Sequence, residues 1–134
     1  MYLLDTNTCI GYLNGVADGV LRRMRTLPAS EIAVCSVVKA EFFYGAMKSG
    51  NPSKSLAEQR RFVNQFPSFA FDDQAAEEYG RIRAHLARQG RPIGPNDLLI
   101  ASIALAQGAT LVTHNTAEFS RVPNLMIEDW EAMA

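Results

Sequence analysis

Cysteine and histidine are scarce in this chain, with two of each among 134 residues. Cys9 and Cys35 form no C-x-x-C pair, and His85 and His114 stand isolated, which speaks against a zinc site. The two thiols read instead as small buried apolar side chains of a reducing compartment. Long apolar runs are also missing, so no segment is expected to span a bilayer. The apolar opening Met1-Tyr2-Leu3-Leu4 stops at Asp5 and has no basic lead. No secretory signal is therefore expected, and the protein is expected in the cytoplasm. Repeats, low-complexity stretches and linkers are absent, and proline and glycine mark turns rather than a boundary. One domain over residues 1–134 is the expectation, long enough to bury a hydrophobic core without staples.

What is present is globular in character, with 48% apolar and 20% charged residues. The net charge of −1 does not advertise a nucleic-acid binder. That average hides a division. Setting aside four acids singled out below leaves ten acidic against 13 basic side chains, a balance of +3. A bound metal would neutralise part of the four, which permits an anionic substrate without demonstrating one.

The pattern predicts short apolar strands alternating with helices. Strands are expected at Tyr2 to Leu4, Ile32 to Cys35, Phe69 to Phe71, Thr110 to Thr113 and near Met126-Ile127. Helices are expected from about Thr6 to Leu13, from about Asp18 to Thr26, from a Ser36 cap to about Met47 and from a Ser53 cap to before Pro67. A long helix should follow an Asp72 or Asp73 cap as far as about Gln89. A very apolar helix is expected from about Asp97 to Gln107, closed by Gly108, and a helical turn at Ala117 to Phe119. This order implies an α/β fold with a short central parallel sheet flanked by helices on both faces. Sites in such sheets lie outside the carboxyl ends of the strands. That rule points to Asp5 and to the stretch from Thr113 to Glu118.

Four carboxylates stand out, each with a plain alternative. Asp5 follows a strand and would also serve as a helix N-cap. Glu41 has Val37, Val38, Tyr44 and Gly45 as its helical neighbours, none of them an ion-pair partner. A carboxylate on that apolar stripe needs a metal or a partner from elsewhere in the fold. Asp97 opens the apolar helix, where Asn96 competes with it for the cap. Glu118 is either a site residue or an exposed helix-turn residue, with Asn115 as the competing candidate. Thr6, Asn7, Asn96, Thr113 and Asn115 are the hydrogen-bonding groups placed to support the acids. Carboxylates with amide and hydroxyl companions suit hard divalent cations such as magnesium.

The segments Leu3-Leu4-Asp5-Thr6-Asn7, Ala40-Glu41-Phe42-Phe43-Tyr44-Gly45-Ala46, Gly94-Pro95-Asn96-Asp97-Leu98-Leu99-Ile100-Ala101 and Leu111-Val112-Thr113-His114-Asn115-Thr116-Ala117-Glu118-Phe119 resemble, in order, the four signature segments of PIN-domain ribonucleases. The chain is most similar to VapC toxins of type II toxin–antitoxin pairs, as far as Ile127-Glu128-Asp129-Trp130. The resemblance implies a PIN-like three-layer fold and metal-dependent cleavage of RNA that leaves a 5′-phosphate and a 3′-hydroxyl. It puts the family's first three acids on Asp5, Glu41 and Asp97, as ligands of magnesium or manganese. The fourth acid, usually aspartate in the family, falls on Glu118. It also implies a homodimer, a VapB-type antitoxin that blocks the site, and DNA contact only through that antitoxin. Structured RNA is the implied substrate, the initiator tRNA anticodon loop being one target type.

Rival readings are a PIN-domain RNA-processing nuclease and a catalytically inactive PIN-like binding module. A phosphatase of the haloacid dehalogenase type needs a second acid two residues after the first, where Asn7 stands. Basic residues gather at Arg22, Arg23 and Arg25, at Arg60 and Arg61, and at Arg81, Arg83 and Arg88. Such runs mostly solvate a helix face, although some could hold phosphates. Phe42, Phe43, Phe62 and Phe66 exceed what one core obviously needs; core packing is the expectation for most of them, and the resemblance implies that some line a dimer interface or an antitoxin groove.

Overall fold

The computed structural model describes residues 1–132. Five parallel strands, β1 (Tyr2–Leu4), β2 (Ile32–Cys35), β3 (Ser68–Phe69), β4 (Thr110–Val112) and β5 (Ile127–Glu128), form one sheet in the order β3-β2-β1-β4-β5. Seven α-helices are placed between them: α1 (Thr6–Leu13), α2 (Asp18–Arg25), α3 (Ser36–Met47), α4 (Pro52–Val63), α5 (Asp73–Arg88), α6 (Pro95–Gln107) and α7 (Thr116–Phe119). A 3-10 turn at Ala29–Glu31 leads into β2.

The three-layer arrangement follows from burial. Leu3 and Leu4 are consecutive in β1, so their side chains point to opposite faces of the sheet. Both are fully buried, as are all four residues of β2. Each face must therefore be covered, as a parallel sheet requires. On the helical side, α5 packs on α6, α3 on α4, and α1 against both α2 and α3. Helix α3 also meets α6, which brings the two most apolar helices together.

The strand order reverses at β1, with β2 on one side and β4 on the other. Outside the carboxyl ends of β1 and β4 a crevice opens, because the connections leave in opposite directions there. The Asp5 N–H extends the ladder by donating to the Val112 carbonyl, 3.1 Å away. Asp5 and Thr113 thus leave the sheet side by side.

Several boundaries depart from expectation for local reasons. Ser36 does not cap α3; it is already helical, and its hydroxyl donates to the Phe69 carbonyl instead. Asn51, not Ser53, caps α4, since Pro52 is suited to the first helical position and its preset φ starts the helix earlier. Neither Asn96 nor Asp97 caps α6. Pro95 again takes the first helical position, Gly94 becomes the cap residue, and Asp97 is left free in the first turn. The third strand is Ser68–Phe69 rather than Phe69 to Phe71, because β2 ends its pairing with Phe69 at Cys35. The last strand shifts to Ile127–Glu128 for the same reason, in register with Leu111 and Val112. Asp72 is the cap of α5, accepting from the Ala75 N–H at 2.9 Å.

The four phenylalanines pack in or against the core, as expected for most of them. Phe42 and Phe62 are buried, and Phe43 and Phe66 pack against them from the side. Phe62 joins Tyr12, at 5.0 Å between ring centroids, to Phe66, at 5.2 Å. The apolar side chains left in solvent are others, including Ile10, Leu13, Val16, Tyr44 and Met47.

Gly108 closes α6 with φ +62°, a left-handed conformation. A Cβ built there would meet no atom within 4 Å, so only the backbone opposes a side chain. Gly108→Ala should therefore cost about 1 kcal/mol in urea denaturation. A loss several times larger would mean that the position is packed rather than merely strained.

Candidate active site

Asp5 leaves β1 and caps α1 at once. Its Oδ1 accepts the Thr8 N–H at 2.9 Å, so the plain N-cap reading holds and coexists with a place in the crevice. The side chain is 4% exposed. Burial raises its pKa above the usual carboxylate value, and Glu41 adds to that rise. Hydrogen bonds from the Thr113 and Thr8 groups oppose it. The Thr113 hydroxyl is itself fixed, accepting the Asn115 N–H at 3.0 Å. The Thr8 hydroxyl ties the cap back to the sheet through the Val112 carbonyl.

Glu41 sits one and a half turns into α3 and finds a partner from elsewhere in the fold: the Thr6 hydroxyl donates to Oε1 at 2.6 Å. That partner is neutral. It orients the carboxylate without cancelling its charge.

Asp97 and Glu118 meet over the loop that opens α6. Both carboxylates reach the same face of Gly94. A Cβ there would stand 3.6 Å from Asp97 Oδ2 and 3.7 Å from Glu118 Oε1. The Gly94 N–H donates to Glu118 Oε1 at 2.9 Å, and the Asn115 side-chain amide donates to Oε2 at 2.9 Å. Asn115 and Glu118 are therefore one unit, with the amide orienting the acid. Partial burial raises the Glu118 pKa, but hydrogen bonds from Gly94, Asn115 and Asp97, together with the Arg121 charge, outweigh it and hold the group below its ordinary value. Asp97 takes the opposite course. Burial first, then Glu118, Asp5 and Glu41, push its pKa up to about 7.

All four predicted acids thus converge in one crevice. Asn7 and Asn96 lie exposed beside it and touch none of the four through a hydrogen bond seen among the described residues. The ion pairs seen there, Arg81 with Glu78 and His114 with Asp129 and Glu131, lie outside the acid cluster. Arg121 offsets part of the Glu118 charge, and the rest of the clustered charge has no ion-pair partner among the described residues. Oxygen-only donors, with backbone and hydroxyl groups behind them, fit a hard divalent cation.

The expectation that His114 stands isolated is overturned. Its Nδ1 lies 2.9 Å from Asp129 Oδ2 and 3.6 Å from Glu131 Oε2. Long sequence separation hid this grouping, which the return of β5 beside β4 creates. The hydrogen bond to Asp129, with the charges of both acids, raises the His114 pKa. The Gly94 and Thr8 N–H groups also escaped the sequence reading, because backbone donors leave no mark in residue type. Among the arginines, Arg23 lies over Tyr2 and Trp130, Arg60 over Phe43 and Arg83 over Tyr79, so these cover aromatic surface.

The raised Asp97 pKa has a definite sign for stability. The folded state binds this proton more tightly than the unfolded chain does. The metal-free fold is therefore penalised as pH rises from about 4 through 7, and the penalty vanishes below about pH 4. The depressed Glu118 pKa acts the other way, adding stability that acidification removes. Asp97→Asn should stabilise the chelated protein at pH 8 by on the order of 1 kcal/mol, reduced by the half-exposure of the group. Melts at pH 8 and pH 4 in EDTA check it, the difference disappearing at the lower pH. A variant that melts well below wild type at pH 8 would make Asp97 a structural residue.

A family model described as "PIN domain" matches residues 2–125. The chain is 40% identical to the tRNA(fMet)-specific endonuclease VapC of Salmonella typhimurium over 129 residues, covering 96% of this chain and 97% of that protein. It is 43% identical to the enzyme of the same name from Shigella flexneri, again covering 96% and 97%. Among solved structures, VapBC2 from Rickettsia felis bound to a DNA fragment from their promoter matches with a TM-score of 0.90 at 38% identity, covering 96% of this chain and 98% of that one. With a family model over nearly the whole chain and relatives matched end to end at 40% identity or more, the chain belongs to the PIN-domain family, within its VapC ribonucleases.

Proposed function

We propose that this chain is the nuclease toxin of a toxin–antitoxin pair, a single-domain endoribonuclease that depends on a divalent metal. The observation that carries the reading is the convergence of Asp5, Glu41, Asp97 and Glu118, with Arg121 acting on Glu118 but no ion pair to any of the four among the described residues. Asp5, Glu41 and Asp97 would hold magnesium or manganese, and Glu118 would support a second ion or the attacking water. The bound ion supplies activation of water and neutralisation of charge at the phosphate.

The protein's own groups set the stage for that chemistry. Thr6 aims Glu41, and Thr113 with the Thr8 N–H keeps Asp5 facing the crevice. Asn115 and the Gly94 N–H hold Glu118 in its charged form. A group poised as Asp97 is, near pH 7, exchanges its proton for a cation at low cost. Asn7 and Asn96 stand at the rim, where they would meet the substrate rather than the ion.

The Salmonella and Shigella relatives are named for tRNA(fMet), which supports structured RNA, and the initiator tRNA anticodon loop first, as the target. The Rickettsia structure pairs the toxin with its antitoxin on promoter DNA. That supports a VapB-type partner here and contact with DNA only through it. The homodimer rests on the family resemblance alone. Ile10, Leu13 and Val16, exposed along and just beyond α1, supply apolar surface for a protein partner. No helix among the described residues is long and apolar enough to cross a membrane.

Incubation with total RNA, followed by mapping of new 5′ ends, tests the chemistry. Cleavage should require magnesium or manganese, stop in EDTA and leave 5′-phosphates that ligate directly. Activity that persists in EDTA, or 2′,3′-cyclic phosphate ends, would sink the reading.

Asp5→Asn and Glu41→Gln should each lower kcat by at least about 100-fold, since each removes a charge from the metal-binding set. Expression of the wild type should arrest growth, and co-expression of the adjacent small gene should restore it. An active nuclease that leaves growth untouched would point to RNA maturation.

A further inference from the structure

Beside the acid cluster a groove of about 580 Å³ opens between α1 and α3. Thr6, Asn7 and Ile10 of α1, Glu41 and Tyr44 of α3, Lys48 just beyond it and Asn96 of α6 line it. We infer that this groove seats the nucleotide next to the scissile phosphate, with the Tyr44 ring stacking its base and Lys48 holding its phosphate. The inference rests on the nuclease reading and adds to it the residues that position the substrate.

Tyr44 follows Glu41 by three positions, so the two side chains share one face of α3. A phenol ring on that stripe would ordinarily be drawn into the core. Here it is 66% exposed, while Phe42 two positions earlier is buried. Lys48 stands one turn further on, with Nζ 4.8 Å from the Tyr44 ring centroid. An exposed cation over an exposed ring is a weak and exchangeable contact. An incoming base can take the ring face, and the displaced ammonium then has a phosphate to meet.

Charge decides in favour of RNA over a purely apolar guest. Glu41 in the groove and the three acids beside it repel a polyanion, so the approach needs a cation. Lys48 is the cation on the groove wall. The amides of Asn7 and Asn96 offer donors and acceptors to a base edge or a 2′-hydroxyl. A ring platform with a basic partner is how proteins hold unpaired nucleotides without reading many of their edges. Because Glu41 belongs to both the groove and the acid cluster, the nucleotide seated here is adjacent to the bond that is cut.

The test uses the full chain, magnesium and an initiator tRNA transcript. Tyr44→Ala should raise KM roughly tenfold or more, with a smaller change in kcat, because stacking is lost while the acids stay in place. Tyr44→Phe should keep wild-type KM, since the ring and not the hydroxyl does the stacking. Lys48→Gln should flatten the dependence of log affinity on log salt by roughly 0.7, the loss of one single-strand phosphate contact, and Lys48→Arg should preserve it. Affinity is read directly by titrating the same RNA into each substitution on an Asp97→Asn background. A wild type that cuts no RNA with either metal defeats the nuclease reading itself. A wild type that cuts, beside Tyr44→Ala and Lys48→Gln variants with unchanged KM and salt slope, overturns the groove alone. Variants that keep RNA kinetics but escape inhibition by the antitoxin would likewise overturn it, by giving the groove to a protein.

Discussion

Like charges gathered in a half-dry crevice are the constraint on which this molecule is organised. Asp97 registers the strain most clearly, because burial and three neighbouring acids push its pKa up to about 7. Nothing in a protein interior assembles such a group for stability alone. The short strands exist to deliver it. Asp5 and Thr113 leave the ends of β1 and β4, where the sheet order reverses, and α3 and α6 close in with Glu41 and Asp97. The apolar bodies of those two helices anchor the carboxylates that their ends and faces carry.

Three of the four acids are held by uncharged partners: Thr8 and Thr113 for Asp5, Thr6 for Glu41, Asn115 and the Gly94 N–H for Glu118. Neutral donors fix direction while leaving the total charge intact. Lysine or arginine in those places would satisfy the acids and abolish their demand for a cation. The sites of several arginines bear this out, since Arg23, Arg60 and Arg83 are spent on aromatic rings elsewhere.

Much of this was legible in the residues. Apolar triplets such as Tyr2 to Leu4 and Thr110 to Val112, alternating with helical patterns, predicted a parallel sheet, and the position of Asp5 after the first triplet predicted the crevice. Glu41 among Val37, Val38 and Tyr44 announced a carboxylate with no local partner. What the sequence concealed was long-range or backbone in origin. Thr6 is 35 residues from Glu41, Gly94 is 24 from Glu118, and His114 reaches Asp129 only because β5 returns beside β4. Helix starts were misread where proline overrode a capping side chain, as at Pro52 and Pro95.

Asp5 does two things with one side chain, ending the Thr8 N–H's search for an acceptor and facing the crevice. That economy shapes how a lineage could disarm the protein. Loss of the carboxylate to a residue without an acceptor would unravel the start of α1 as well as silence the site. Such alleles would be cleared as misfolded chains. Glu118 likewise ties down the Gly94 N–H at the start of α6. Glu41 carries no cap and bonds only the Thr6 hydroxyl, so a change there would leave a folded, inert chain. Decayed copies of this gene should therefore keep the first acid longest, and a population escaping the active protein should leave its record at position 41.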